Sequence, residues 1–292
     1  MVSHHLQELT KAFVPISSTP ALDAELLLAN VMGKDRNYVL SHPSETLSAE
    51  QLHRLEEMKL KRLRAYPIPY LTNQREFWGN DFYVDESVLI PRPETEHLIE
   101  TAIQELAGIP PTYVLDVGTG SGCIAVSMAK EIPQHTYLAT DVCPNALRTA
   151  SLNAIKNRVG NNITFYEGNL LEPLFDPSAP LRNQHLLILA NLPYADMDKY
   201  GYEPTPVPRE LTEGIHYEPR HAVHGGPGGA VLIKNFLDQV KRYDISGSTI
   251  IMEIGYDQAA ELTNYIKALF PNAHTKITKD LAGLDRILKV EI

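Results

Sequence analysis

The chain has 292 residues, 43% hydrophobic and 21% charged, which is ordinary globular usage with enough apolar material for one large core and a smaller one. A net charge of −10 and a pI near 5.6 argue against broad, non-specific binding to nucleic-acid backbones, which relies on clustered Lys and Arg. Two cysteines, Cys123 and Cys143, are too few for a disulfide framework and read as reduced, partly buried thiols. No apolar run reaches the length of about eighteen that a membrane helix needs, and the opening MVSHHLQELTKAF lacks the pattern of an export signal. A cytoplasmic location is expected, or an organellar matrix after removal of a targeting segment.

Residues 1–65 read as a small helical domain, since Leu22, Leu26 and Ala29 recur at helical spacing and Ser48 to Arg64 is rich in Leu, Glu, Lys and Arg. Ser48 followed by Glu50 and Gln51 is a capping signature for the last of these helices, which Pro67 and Pro69 are expected to end. Over residues 66–91 aromatic and β-branched residues surround a turn-like Gly79-Asn80, with Phe82, Val84 and Val88 beyond it, predicting a β-hairpin linker. Residues 92–292 then form the second domain. Its first segment, Pro93 to Ala107, has helical spacing through Leu98, Ala102 and Leu106.

From Thr112 onward short apolar runs (113–117, 137–140, 163–167, 186–190 and 249–254) alternate with helical stretches, as in a parallel sheet covered on both faces. The last two candidates, 274–278 and 286–292, are joined by only a few residues including Gly283. They must pair antiparallel, so the sheet of this α/β domain is expected to be mixed.

Val114 to Gly122 runs from a strand into the glycine-rich turn Gly118-Thr119-Gly120-Ser121-Gly122 and then a helix of small residues. Glycines let the backbone approach a ligand closely and leave amides at the helix N-terminus facing it. The spacing lacks the third glycine position of the dinucleotide fingerprint, and a tight turn without a ligand is the alternative. Asp141, at the end of the next strand and about twenty residues on, can accept hydrogen bonds from both ribose hydroxyls, which points to an adenosine-containing ligand. It can also cap the helix ahead of Pro144. After the following strand, Asn169 and Leu170 offer an amide for the adenine edge and an apolar face for its ring.

Asn191-Leu192-Pro193-Tyr194 ends the fourth strand, where open α/β sheets place their active sites. An amide nitrogen is a poor nucleophile because its lone pair is delocalised, so a catalyst must hold it still with that lone pair aimed at a methyl group. The Asn191 side-chain oxygen and the Leu192 backbone carbonyl can each accept one amide hydrogen, Pro193 stiffens the loop, and Tyr194 can pack on the planar group. No metal or strong base is required. Taken alone, the tetrapeptide is also an ordinary proline turn. His216, His221 and His224 lack the matched carboxylate or cysteine set of a metal site. Gly225-Gly226-Pro227-Gly228-Gly229 lacks the Lys-Ser/Thr of a phosphate loop and reads as a turn before a helix. Asp196 to Glu218, with Pro204, Pro206 and Pro208, reads as a long loop, either a surface insertion or a gate over the substrate.

Together the motifs resemble those of the HemK/PrmC family, the release factor glutamine methyltransferases, across nearly the whole chain. Asp23-Ala24-Glu25-Leu26-Leu27-Leu28 and Pro69-Tyr70-Leu71-Thr72 are similar to that family's helical domain and its junction. Leu89-Ile90-Pro91-Arg92-Pro93-Glu94-Thr95-Glu96 resembles its signature directly before the catalytic domain, and Glu218-Pro219 and Asp280 to Arg286 match later landmarks. The resemblance implies a seven-stranded, Rossmann-like methyltransferase fold behind a helical substrate-recognition domain. It implies S-adenosyl-L-methionine as donor, S-adenosyl-L-homocysteine as product and no metal. The implied substrate is the glutamine of the Gly-Gly-Gln motif in peptide chain release factors, with neither membrane contact nor direct nucleic-acid binding.

Residue by residue, the resemblance assigns donor contacts to Gly118, Thr119, Gly120, Ser121, Gly122, Asp141, Asn169, Leu170 and Asn191. Catalysis falls to Asn191, Pro193 and Tyr194, and substrate binding to these three with Leu192. Asn169 stands where the family usually has an acid, Leu170 where an aromatic is sometimes found, and Leu192 where the family reads Asn-Pro-Pro-Tyr. Asn-Leu-Pro-Tyr is similar to the motif of ribosomal RNA adenine dimethyltransferases, so an adenine N6-methyltransferase acting on RNA or DNA is the rival expectation. Those enzymes lack the Pro-Arg-Pro-Glu-Thr signature and carry their accessory domain after the catalytic one. A non-catalytic S-adenosylmethionine-binding protein is a third reading, disfavoured by the presence of both motifs.

Overall fold

A computed structural model describes residues 1–175, 181, 185–200 and 214–292. The chain forms two compact units, residues 1–74 with 203–218 and residues 75–202 with 219–292. In the first unit α1 (Val2–Phe13), α2 (Pro20–Met32), α3 (Arg36–Ser41), α4 (Ala49–Arg62) and α5 (Ile68–Thr72) surround a core that includes Val2, Phe13, Leu27, Leu28 and Leu55. The Ser48 hydroxyl accepts from Gln51 N at 3.1 Å while Gln51 Oε1 accepts from Ser48 N at 2.8 Å, so two otherwise unpaired donors at the start of α4 are satisfied reciprocally. The prolines do not end this helix. It stops at Arg62, and Pro69 lies in the first turn of α5, where its missing N–H costs no hydrogen bond.

The acids of the Asp23–Leu28 segment hold these helices together. Asp23 on α2 and Arg62 on α4, 6% and 3% exposed, pair at 2.8 Å, and Glu25 pairs with Arg36 on α3. Removing one member of a buried pair takes away an interaction that offsets the cost of burying the other charge. Asp23→Ala is therefore expected to destabilise this unit by about 3–5 kcal/mol, read as a lower urea midpoint of the helical signal. An unchanged midpoint would show that α2 and α4 are held by apolar packing alone.

The second unit opens with a hairpin of β1 (Arg75–Phe77) and β2 (Asn80–Phe82). Its turn is Trp78-Gly79, one residue earlier than the expected Gly79-Asn80, because Phe77 pairs with Asn80. Both turn residues have positive φ, 50° and 66°, the conformation whose twist matches that of the flanking strands. Trp78 is held there by Glu96 Oε1, which accepts its backbone N–H at 2.9 Å, and by Glu131 Oε1, which accepts its indole N–H at 3.1 Å.

After α6 (Glu96–Leu106) comes the expected seven-stranded mixed sheet. Its strands are β3 (Tyr113–Val117), β4 (Thr136–Asp141), β5 (Ile163–Glu167), β6 (Leu186–Ala190), β7 (Thr249–Glu253), β8 (His274–Lys279) and β9 (Asp285–Glu291), in the order β5-β4-β3-β6-β7-β9-β8. The first five are parallel; β9 runs antiparallel to β7 and β8 antiparallel to β9. Every residue of β6 and β7 is buried, as the apolar runs Leu186–Ala190 and Ile250–Met252 require of strands covered on both faces. Leu115, Ile188 and Ile250 pack with Phe236 and Leu262 on one face, while Val114, Leu187 and Ile251 pack with Leu98 and Val126 on the other. None of the described helices is long and apolar enough to cross a membrane.

From β3 the chain builds outward through β4 and β5, then returns to lay β6 on the opposite side of β3. The loops leaving β3 and β6 therefore diverge and open a crevice at the carboxyl ends of the strands. The glycine turn and the Asn191 loop are brought to that crevice by topology, although 68 residues of chain separate Gly122 from Asn191.

Candidate active site

The crevice is lined by Gly118 to Ser121 after β3, Asp141 and Val142 after β4, Asn169 and Leu170 after β5, and Asn191 to Pro193 after β6, with Arg92 and Thr95 from the segment before α6. Two residues named from sequence stand off this wall. Gly122 caps the N-terminus of α7 (Cys123–Glu131), and Tyr194 follows the lining residues.

Four of the five amides of the glycine turn are engaged within the protein. Gly118 N and Thr119 N both donate to Thr140 O at 2.9 Å, Gly122 N donates to Thr119 O at 2.8 Å, and Gly120 N donates to Asp141 Oδ2 at 2.8 Å. The expectation that the turn's amides face a ligand is corrected for Gly118, Thr119 and Gly120, which the adjacent parallel strand β4 engages through the Thr140 carbonyl and the Asp141 carboxylate. A Cβ on Gly120 would meet nothing within 4 Å, so the crevice is open there. A Cβ on Gly118 would come 2.9 Å from Leu192 Cδ2. Leu192, 3% exposed, thus fills the space under the turn.

Two carboxylates set the electrostatics. Asp116 Oδ2 accepts from Thr119 Oγ1 at 2.6 Å and Ala125 N at 3.1 Å, while Oδ1 is buried with no hydrogen-bond partner, and burial pushes this carboxyl up to about 6. Asp141 is also raised by burial; its Oδ1 accepts from Cys143 N at 2.9 Å, and the N-cap of α8 (Pro144–Lys156) is Cys143. A turn whose amides are mostly engaged, beside the Asp141 carboxylate, offers acceptors to a ligand bearing hydroxyls. Val142, 62% exposed, and Leu170 add apolar lining, whereas Asn169 Nδ2 donates to Glu172 Oε1 at 3.1 Å. Burial pushes the Cys123 thiol up to about 12, so it stays protonated and is no nucleophile.

Behind the Asn191 loop lies a chain of hydrogen bonds that sequence reasoning missed. Asn191 Nδ2 donates to Thr95 Oγ1 at 2.9 Å, Thr95 Oγ1 donates to Glu253 Oε2 at 2.6 Å, and the Tyr194 hydroxyl donates to Glu253 Oε1 at 2.9 Å. Glu253 ends β7 and is 1% exposed; burial raises both its carboxyl and the Tyr194 phenol above their ordinary values. The signal available in sequence was a carboxylate inside the apolar run Thr249–Ile254, since a buried acid requires partners.

The run Gly225–Gly229, expected as a turn before a helix, is packed against the same loop. A Cβ on Gly225 would stand 2.1 Å from Gly229 O and 2.4 Å from Pro193 O, and one on Gly229 would stand 2.2 Å from Tyr194 O. Gly225 N donates to Ala195 O at 2.9 Å, Gln258 Nε2 donates to Tyr194 O at 3.0 Å, and Gly228 N donates to Asp196 Oδ2 at 2.8 Å. Of the three histidines, His221 lines the crevice. His224 bonds Met197 N at 3.2 Å and lies near Asp196 and Asp198, of which Asp198 pairs with Arg220. Within the expected 196–218 loop, residues 201–213 lie outside the described residues.

Comparison with known proteins places these two units in context. The PrmC N-terminal domain family matches residues 5–72 and the methyltransferase small domain family residues 95–196. A release factor glutamine methyltransferase of Coxiella burnetii is 34% identical over 285 residues, covering 97% of this chain and 95% of the relative. That of Koribacter versatilis is 38% identical over 271 residues, covering 92% and 90%, and that of Bacillus subtilis 32% identical over 270 residues, covering 91% and 89%. Among solved structures, the hMettl16 catalytic domain in complex with the MAT2A 3'UTR hairpin 6 superposes with a TM-score of 0.55 at 15% identity, covering 82% of this chain and 81% of that one. At that identity the likeness is one of fold alone.

Proposed function

Since the chain belongs to the family of release factor glutamine methyltransferases, we propose that it transfers the methyl group of S-adenosyl-L-methionine to the side-chain amide nitrogen (N5) of the glutamine in the Gly-Gly-Gln motif of peptide chain release factors. S-adenosyl-L-homocysteine is the second product. The observation that supports the reading in this chain is the meeting of the glycine turn, Asp141 and Asn191 at one crevice. Incubation with methyl-labelled donor and a bacterial release factor tests it. One methyl group on the motif glutamine is expected, and labelling of ribosomal RNA in its place would overturn the reading.

The bound donor supplies an electrophilic methyl group on a positively charged sulfur. The chain's own residues hold it and orient its acceptor. Asp141 keeps lone pairs beyond those bonded to Gly120 N and Cys143 N, and these accept the ribose hydroxyls. Asp116 contributes negative charge at the foot of the turn, Gly120 leaves room for close approach, and Val142 and Leu170 line the adenine pocket. Asn191 Oδ1 and the Leu192 carbonyl accept the two amide hydrogens of the target, turning its nitrogen lone pair towards the methyl group. The nitrogen becomes cationic on methylation and then loses a proton readily, so no strong base is needed. The helical unit recognises the release factor, and the protein works in the cytoplasm or an organellar matrix.

Asp141→Ala is expected to weaken donor binding by about 1–3 kcal/mol, the worth of one or two hydrogen bonds. Calorimetry on the folded variant checks this. Unchanged affinity would remove Asp141 from the donor site.

A further inference from the structure

While Glu253 is ionised, the hydrogens in the chain behind Asn191 run in only one direction. An ionised carboxylate has none to give, so the Tyr194 hydroxyl, 2.9 Å from Glu253 Oε1, and the Thr95 hydroxyl, 2.6 Å from Oε2, must both donate to Glu253. Thr95 has then spent its single hydrogen, and towards Asn191, 2.9 Å away, its oxygen can only accept. Asn191 must therefore turn its NH2 group to Thr95 and its carbonyl oxygen the other way. The bonds are well protected, with Thr95 and Glu253 each 1% exposed, and the Thr95–Glu253 contact has the shortness of a charge-assisted bond.

The direction matters because an asparagine side chain is nearly symmetric in shape and opposite in polarity at its two ends. With its oxygen presented it accepts from an amide; with its NH2 presented it pairs equally well with a carboxylate. We propose that Thr95, polarised by Glu253, is a positioning residue that fixes the polarity of the Asn191 side chain and thereby makes the site select a glutamine amide over a glutamate carboxylate. The inference rests on the glutamine reading above and adds the residues that enforce it. Without the Thr95 hydroxyl, Asn191 loses the partner that holds its NH2 group, and either end can face the substrate.

Two nearly isosteric substitutions separate this role from packing. Thr95→Val keeps the volume and removes the hydroxyl, whereas Thr95→Ser keeps the hydroxyl and loses a methyl group. Binding of wild-type release factor and of the same factor with its motif glutamine changed to glutamate is measured for each variant, together with kcat and donor affinity. Thr95→Val is expected to lower kcat about tenfold and to reduce the glutamine-over-glutamate binding ratio by about the same factor, the worth of one buried hydrogen bond, with donor affinity retained. Thr95→Ser is expected to restore most of both, and Thr95→Ala provides a second variant lacking the hydroxyl should valine impair folding. An unchanged ratio in the folded valine or alanine variant, or an equal loss in Thr95→Ser, would overturn the proposal. Failure of the unmodified protein to methylate a release factor would instead count against the proposed function itself.

Discussion

Asn191→Ala is expected to lower kcat for release factor methylation by about 10²–10³-fold, the usual cost of deleting one preorganised hydrogen-bond partner in an active site shielded from water. Donor affinity should stay within about twofold, because a single neutral hydrogen bond held in reserve for the acceptor contributes little to ground-state binding of the donor. The structure gives the loss two components. The acceptor oxygen disappears, and the Thr95 hydroxyl loses the donor that sits 2.9 Å away. The fold should survive, since the rest of the loop remains anchored by Tyr194 to Glu253 and by Tyr194 O to Gln258. Single-turnover kinetics paired with calorimetry would test this, and near-normal methyl transfer by the alanine variant would rule out the amide clamp.

Gly225→Ala, far from Asn191 in sequence, should be nearly as damaging. No left-handed backbone is at issue at this residue; the added Cβ would lie 2.1 Å from one carbonyl oxygen and 2.4 Å from another, the second belonging to Pro193 of the Asn191 loop. Neither oxygen sits at the far end of a flexible side chain, so backbone must move, and a displacement of about 1 Å in a positioning loop costs on the order of 10²-fold in rate. Overpacking of this kind also destabilises by about 1–3 kcal/mol. Gly228→Ala is the natural contrast: it has a φ of 71° but nothing within 4 Å of its Cβ position, so its cost should be limited to about 1–2 kcal/mol of backbone strain with little effect on rate. Wild-type kcat in Gly225→Ala would show that the glycine run does not set the position of the Asn191 loop.

The two expectations have different origins, and the difference marks what could be read from the chain alone. Asn191, Asp141 and the glycine turn were legible because each is a local device: a strand's apolar run ends, and the residue types after it have a chemistry that few other loops need. The seven strands were legible for the same reason, since continuous apolar runs and a short Gly-containing connection fix burial and direction within a few residues. So was the start of α4, where Ser48 and Gln51 satisfy each other three residues apart.

What tertiary structure alone decided are the bonds that join distant segments. Thr95 meets Glu253 across 158 residues and Asn191 across 96, and the pairing of Asp23 with Arg62 spans 39. No periodicity records such meetings, because they follow from the order in which strands enter the sheet. The same holds for Gly225, whose missing side chain is explained only by the carbonyls that crowd it, and for the amides of Gly118, Thr119 and Gly120, which looked available until β4 was placed beside β3 and engaged them. A sequence states which groups each segment carries. Which hydrogen-bond partner is within reach depends on the packing of segments far apart in the chain, and for Asn191 that partner is the Thr95 hydroxyl.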